Sequence, residues 1–236
     1  MPTICLFRFE ENLPKHQIIK LIDGFRQNEF LFKAKQSRFR DDEIEIDVWY
    51  EEDIEFGLNK VFPNDAAEIV QYLKENGKEK VVRKIYCFLD VKRKTLEIYR
   101  GYDCLTENIK NKLENILGMK FTPLSLSSSE LISLVNNYSS ELKQAMFKYV
   151  HGLLYSIIRG RHLEKNEKYL GYLEAKPESL RVVSFIPKIK YMSPREYMIT
   201  VNGDKGTLKI SEGFFKWKPR FEIRQIVDIL AFLGSK

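Results

Sequence analysis

Residues 130–160 read ELISLVNNYSSELKQAMFKYVHGLLYSIIRG, and the period assigned to this stretch decides the architecture. Leu131, Leu134, Val135, Tyr138, Leu142, Met146, Tyr149, Leu153 and Ile157 recur mostly at spacings of three and four, the repeat of one helical face. Ser127, Ser128 and Ser129 stand ahead of the run as N-caps, and Asn136-Asn137 divides it into a short helix and a long one. The spacing therefore predicts a long amphipathic helix that connects the N-terminal half of the chain to its last third. On this reading His151, beside Gly152, is a partly buried, hydrogen-bonded helix residue and not a catalytic base.

Before that stretch the patterns alternate between strand and helix. Thr3 to Phe9 is short, apolar and β-prone, and Ile18, Ile19, Leu21, Ile22 and Phe25 follow at helical spacing up to Gly24. Arg38 to Phe56 sets Ile44, Ile46 and Val48 on one strand face among charged neighbours. Pro63-Asn64-Asp65 opens a helix with Ala66, Ile69, Val70 and Leu73. Val82 to Leu89 and Thr95 to Arg100 form a hairpin across the basic turn Asp90-Val91-Lys92-Arg93-Lys94, and Thr106 to Gly118 is a further helix. Phe121 to Ser129, with Pro123 and its serines, marks a boundary.

Beyond it, Tyr169 to Ala175, Leu180 to Ile189 and Glu196 to Val201 are β-prone. The last reaches Thr207 to Ile210 through the turn Asn202-Gly203-Asp204-Lys205-Gly206. A closing helix begins at Pro219 and carries Ile223, Ile226, Val227, Leu230 and Leu233. The expected fold class is α+β: two lobes of mostly antiparallel sheet with covering helices, joined by the long amphipathic helix. The division is an N-terminal lobe over 1–122, a helical linker over 123–162 and a basic, β-rich lobe over 163–236.

Composition narrows the function classes. With 44% hydrophobic and 13% aromatic residues in 236, the chain can bury an ordinary core, which excludes a disordered tail or a disulfide-stapled miniprotein. No apolar run has the length of a membrane span and Met1-Pro2-Thr3 opens no signal peptide, so a cytoplasmic protein without membrane contact is expected. Cys5, Cys87 and Cys104 are too widely spaced for a metal knuckle, and His16, His151 and His162 do not pair at ligand spacing. No metal and no cofactor is expected. The lean toward Lys, Glu and Ile with little Gln is a balance met in thermophile proteins.

The net charge of +6 conceals a division. Residues 141–236 hold 18 basic and 10 acidic side chains, whereas residues 1–140 hold 21 and 23. Asp41 to Glu55 alone carries nine carboxylates and no cation, which reads as a solvated face or as a docking edge for a basic partner.

No phosphate-binding loop, dinucleotide fingerprint, nucleophile elbow or zinc-protease motif is present. A magnesium-dependent nuclease needs a strand-borne acidic-x-Lys triplet with a further acidic residue upstream. Glu174-Ala175-Lys176, at the end of a predicted strand, supplies the type, and Asp90-Val91-Lys92 with Asp65 upstream supplies a second instance. Both Glu174 and Lys176 are also ordinary residues for a solvated strand end.

The basic clusters point elsewhere. Arg159, Arg161, Lys165 and Lys168 close the predicted long helix, and Lys188, Lys190 and Arg195 bracket Tyr191 and Met192. Lys216, Trp217, Lys218 and Arg220 lie between Phe215 and Phe221. Cations hold phosphates while flat rings stack on bases, the combination that binds single-stranded or distorted nucleic acid. The same aromatics serve equally as core anchors or as anchors for a protein partner.

The expected function is a non-catalytic, nucleic-acid-binding accessory subunit of a processing or defence complex, its first lobe docking a protein partner and its basic lobe lining a nucleic-acid channel. The alternatives are a magnesium-dependent nuclease and a protein-binding scaffold without nucleic-acid contact. Two α+β lobes around a helical linker are compatible with the N-terminal and linker portion of an Argonaute-like protein, supplied in trans to a short Argonaute. The layout alone carries that comparison, since no diagnostic motif accompanies it.

Overall fold

The structure, a computed structural model, describes residues 3–59, 66–188, 196–211 and 220–234. At its centre is β1 (Thr3–Arg8), whose Ile4, Cys5, Leu6 and Phe7 are at most 1% exposed. An apolar run without polar alternation suits a strand covered on both faces. Alternation of its side chains sends Cys5 and Phe7 into one core and Ile4 and Leu6 into another. Each such side chain contributes roughly 1.5–3 kcal/mol by leaving water, so one short strand supports both cores.

The first core is built from α1 (Lys15–Ile22), β2 (Arg26–Gln27), β3 (Phe30–Gln36), β4 (Glu43–Asp53), β5 (Lys80–Asp90), β6 (Thr95–Ile98) and α4 (Cys104–Leu117), with α2 (Ile54–Asn59) and α3 (Ala66–Glu75) inserted between β4 and β5. Ile18 and Ile22 of α1 and Ile109 and Leu113 of α4 pack with Phe32, Ile46 and Ile98. Helix α4 starts on Asp103, which accepts a hydrogen bond from the Thr106 amide at 2.9 Å, and stops on Gly118 at φ 63°.

The second core comprises β7 (Thr122–Pro123), α5 (Ser128–Tyr138), β8 (Ser139–Val150), β9 (Leu153–Arg159), α6 (Glu167–Ala175), β10 (Leu180–Pro187), β11 (Ile199–Asn202), β12 (Thr207–Ile210) and α7 (Arg220–Leu233). Leu131 and Leu134 of α5, Tyr169 of α6 and Ile226 and Leu230 of α7 join Phe147, Val183 and Phe185. The strands form one twelve-stranded sheet in the order β2-β3-β4-β5-β6-β1-β12-β11-β10-β8-β9, with β7 beside β1. Every pairing is antiparallel. The chain is thus α+β with a large antiparallel sheet, as its patterns predict.

The long helix over 130–160 is corrected. Ser127 and Glu130 close a capping box and α5 forms as expected, but it ends at Tyr138, and Ser139 is already extended at φ −92°, ψ 133°. Residues 139–159 are the β8–β9 hairpin, turned at His151 (φ 49°) and Gly152 (φ 75°) between the paired Val150 and Leu153. Positive φ at both central residues is the tight hairpin turn that matches strand twist. The buried positions of β8 are Ser139, Leu142, Ala145, Phe147 and Val150, and shifts of register against β10 interrupt the two-residue period. That irregularity let spacings of three and four stand out. Tyr149 and Leu153 of the supposed helical face are 62% and 50% exposed, and His151 is an exposed turn residue.

Two further expectations change. Tyr169 to Ala175 is not a strand but lies in α6, started by Asn166, whose side chain accepts hydrogen bonds from the amides of Lys168 and Tyr169. The acidic strip is not a sheet edge, because β4 runs between β3 and β5. Neighbouring cations meet its carboxylates: Lys84 at Asp47 (2.6 Å), Arg83 at Glu52 (2.6 Å), Lys80 at Glu51 (3.2 Å), Lys35 at Glu45 (3.4 Å) and Lys74 at Glu55. The strip is largely neutralised within the chain.

Residues 121–126 lie against the sheet centre. The Leu124 amide donates to Leu6 O and the Leu126 amide to Gly203 O, both at 2.9 Å. A Cβ on Gly203 would sit 2.4 Å from Leu126 O, so glycine is required where the strap crosses the β11–β12 turn. Beside this segment α7 meets the first half through charge. Arg224 Nε lies 2.8 Å from Glu43 Oε2 with both side chains buried, and Asp228 receives Arg40 and Arg93 together. Among the described residues no helix is long and apolar enough to cross a membrane.

Candidate nucleic-acid interface

The residues singled out by sequence fall into three groups. Lys190, Arg195, Lys216, Trp217 and Lys218 lie outside the described residues, as does the side chain of Arg220, which opens α7. Arg159, Arg161, Lys165 and Lys168 follow one another from the end of β9, through a single 3-10 turn at Leu163–Lys165, into the start of α6. Lys188 stands just past β10, its amide donating to Tyr138 O at 2.7 Å.

The fold brings the second and third groups together. Antiparallel pairing of β8 with β9 and β10 carries the start of β8 to the ends of both neighbours. A cleft of about 370 Å³ results, lined by Lys165, Lys188, His162, Ser139, Ser140 and Asn136, with Glu164 and Val135. Lys165 and Lys188, 23 positions apart in sequence, thus face one cavity. The carboxylate in its wall is already engaged: Glu164 accepts from the Leu142 amide at 3.1 Å and meets His162 Nδ1 at 3.2 Å. Burial works to raise its pKa, but the backbone amides and His162 outweigh it and hold the carboxyl below the ordinary range. Glu164 stays ionised as part of the frame.

Three of these cations are held by neutral groups. Arg159 Nε donates to Gln144 Oε1 at 2.8 Å, and Lys168 Nζ lies 5.8 Å from the Tyr172 ring centroid. Lys188 Nζ reaches Asn136 O at 3.4 Å. Among the described residues none of Arg159, Arg161, Lys165 and Lys168 is ion-paired, in contrast to the cations along β4. From Leu142 to Leu163 the chain carries Lys143, Lys148, Arg159 and Arg161 and not one Asp or Glu. Unpaired cations beside a cleft attract and hold anions without first giving up a partner.

The nuclease triplets are placed differently from the expectation. Glu174-Ala175-Lys176 is at the end of α6, not of a strand; Lys176 Nζ sits 5.6 Å from the Tyr149 ring centroid and 4.0 Å from Glu178. Asp90 is buried, accepting from the Lys92 and Arg93 amides and from Arg93 Nη1 at 3.0 Å, and Asp65 lies outside the described residues. Among the described residues no three His, Cys, Asp or Glu side chains cluster in a metal-binding group.

Sequence reasoning passed over the apolar part of the hairpin. Tyr149, Leu153, Leu154, Tyr155 and Ile157 are 43–73% exposed at one end of the sheet. The available signal was His151-Gly152 between two β-prone runs, a turn dipeptide hidden by the helical spacing around it. No protein-family model matches the chain, and no curated protein matches it with significance.

Proposed function

We propose that this chain is a non-catalytic, nucleic-acid-contacting accessory subunit, two lobes meeting at β1, with its binding surface centred on the cleft between β8, β10 and the start of α6. The observation that carries the reading is the convergence of Lys165 and Lys188 on one cavity, on a stretch of chain whose Arg159, Arg161 and Lys168 form no ion pair among the described residues. Contacts of this kind neutralise backbone phosphates, give little base readout and weaken steeply with salt. The wider context we propose is a defence or processing complex in which the chain acts in trans with a short Argonaute.

The test is oligonucleotide binding by the purified chain, single- and double-stranded, DNA and RNA, at low and moderate salt. Lys165→Ala with Lys188→Ala should weaken binding about tenfold or more and flatten the salt dependence by roughly one ion per contact removed. An unchanged affinity in that double variant would refute the site. Absence of binding at low salt would refute the reading, and metal-dependent cleavage abolished by Glu174→Gln would replace it with the nuclease.

A further inference from the structure

We propose that the outer edge of β9 is a docking edge that accepts an extended, acidic strand from a partner protein. This goes beyond the nucleic-acid reading and does not rest on it, since the cleft lies at the open end of the β8–β9 hairpin and the apolar edge toward its turn. β9 ends the sheet, and no described strand pairs with its far side. Its sequence, LLYSIIR, reaches Arg159 without a charge, a proline or a glycine. Solvent-exposed edge strands are ordinarily blunted by such residues, because unpaired backbone amides and carbonyls beside apolar side chains recruit further strands.

The exposure is two-sided. Tyr155 and Ile157, 64% and 43% exposed, share a face with Lys148 and Met146, to which they are paired; Leu154, in the same strand, is 73% exposed. An added strand would cover these side chains and satisfy the backbone together, the combination that gives strand addition its affinity.

Charge selects the occupant. The hairpin holds Lys143, Lys148, Arg159 and Arg161 without a carboxylate from Leu142 onward; Glu141 pairs with Lys143 and Asp204 with Lys148, leaving Arg159 and Arg161 without an ion pair among the described residues. A second copy of β9 would bring another Arg159 and Arg161 and no acid. A strand with carboxylates meets them directly. Added antiparallel, as every pairing in this sheet is, its N-terminal end lies beside Arg159, so its acidic residues precede an apolar run.

The experiment uses the full chain and a fluorescent peptide of alternating valine and threonine preceded by three aspartates. Controls are the same peptide with lysines in place of the aspartates and a version N-methylated at alternate amides. The aspartate peptide should bind at least about tenfold more tightly than the lysine peptide, the N-methylated one should not bind, and hydrogen exchange should slow at the amides of Leu153 to Arg159. Leu154→Gln, a neutral change at an exposed position on the face opposite Tyr155 and Arg159, should weaken peptide binding at least about threefold and leave oligonucleotide affinity unchanged, whereas the Lys165→Ala, Lys188→Ala variant should do the reverse. The proposal is overturned if the aspartate peptide fails to bind, binds no better than the lysine peptide, or leaves those amides unprotected. It is equally overturned if light scattering shows the free chain pairing through this edge, or if an oligonucleotide protects it instead.

Discussion

Three cysteines on one chain differ sharply in chemistry because of where they stand. Cys104 is exposed at the start of α4, whereas Cys5 and Cys87 are fully buried in the first core. Burial pushes the Cys5 thiol up to about 12, with Asp103 and Glu107 adding to the effect, and raises Cys87 further. In the native protein only Cys104 should react quickly with a chromogenic thiol reagent, the other two reacting after unfolding. A fast native reaction at Cys5 would contradict the packing of β1. The same shift sets an alkaline limit. A group whose pKa is higher folded than unfolded stabilises the fold below its unfolded value and loses that contribution as pH climbs toward the folded one. For Cys5 the window runs from 9.0 to about 12, and for Tyr169, raised chiefly by burial, from 10.0 to about 12. The urea midpoint should therefore fall between roughly pH 9 and pH 12, and Tyr169→Phe should reduce the fall.

The β8–β9 hairpin is the element on which both proposed surfaces stand. Its turn forces His151 and Gly152 to positive φ, a conformation costing a non-glycine residue roughly 1–2 kcal/mol. Gly152→Ala should lower stability by about that amount, and His151→Asn should raise it by a few tenths of a kcal/mol, since asparagine tolerates the left-handed region and favours this turn. Denaturant titration of both variants checks the turn directly; a neutral Gly152→Ala would contradict it. Helices α1, α4, α5 and α7 were legible from spacing and caps, as were the β5–β6 and β11–β12 hairpins from their turns. The hairpin over 139–159 was not, because a bulged strand and an amphipathic helix place apolar residues at similar intervals. The cleft shared this fate: Lys165 and Lys188 were visible as basic residues, but their meeting depends on strand order.

At the scale of the whole molecule the two cores are held by β1 and by the charged seam along α7. Removing one partner of a buried ion pair typically costs about 3–5 kcal/mol, because the other charge stays in a poorly solvating site. Arg224→Met should destabilise the protein on that scale by removing the guanidinium that faces the buried Glu43 carboxylate, which also accepts from the Ser37 hydroxyl at 2.6 Å. A denaturant midpoint within error of the parent would show that water reaches Glu43. The sequence by itself determined the α+β class, the apolar strand that opens the chain, most helix ends and the basic excess of the second half, since these rest on residue type and on contacts within a few positions. Only the tertiary structure decided that residues 139–159 are extended, that the acidic strip is neutralised on an inner strand, and that one sheet runs through both cores. Those choices are made by hydrogen bonds and ion pairs to strands and helices far along the chain, whose partners no local pattern names.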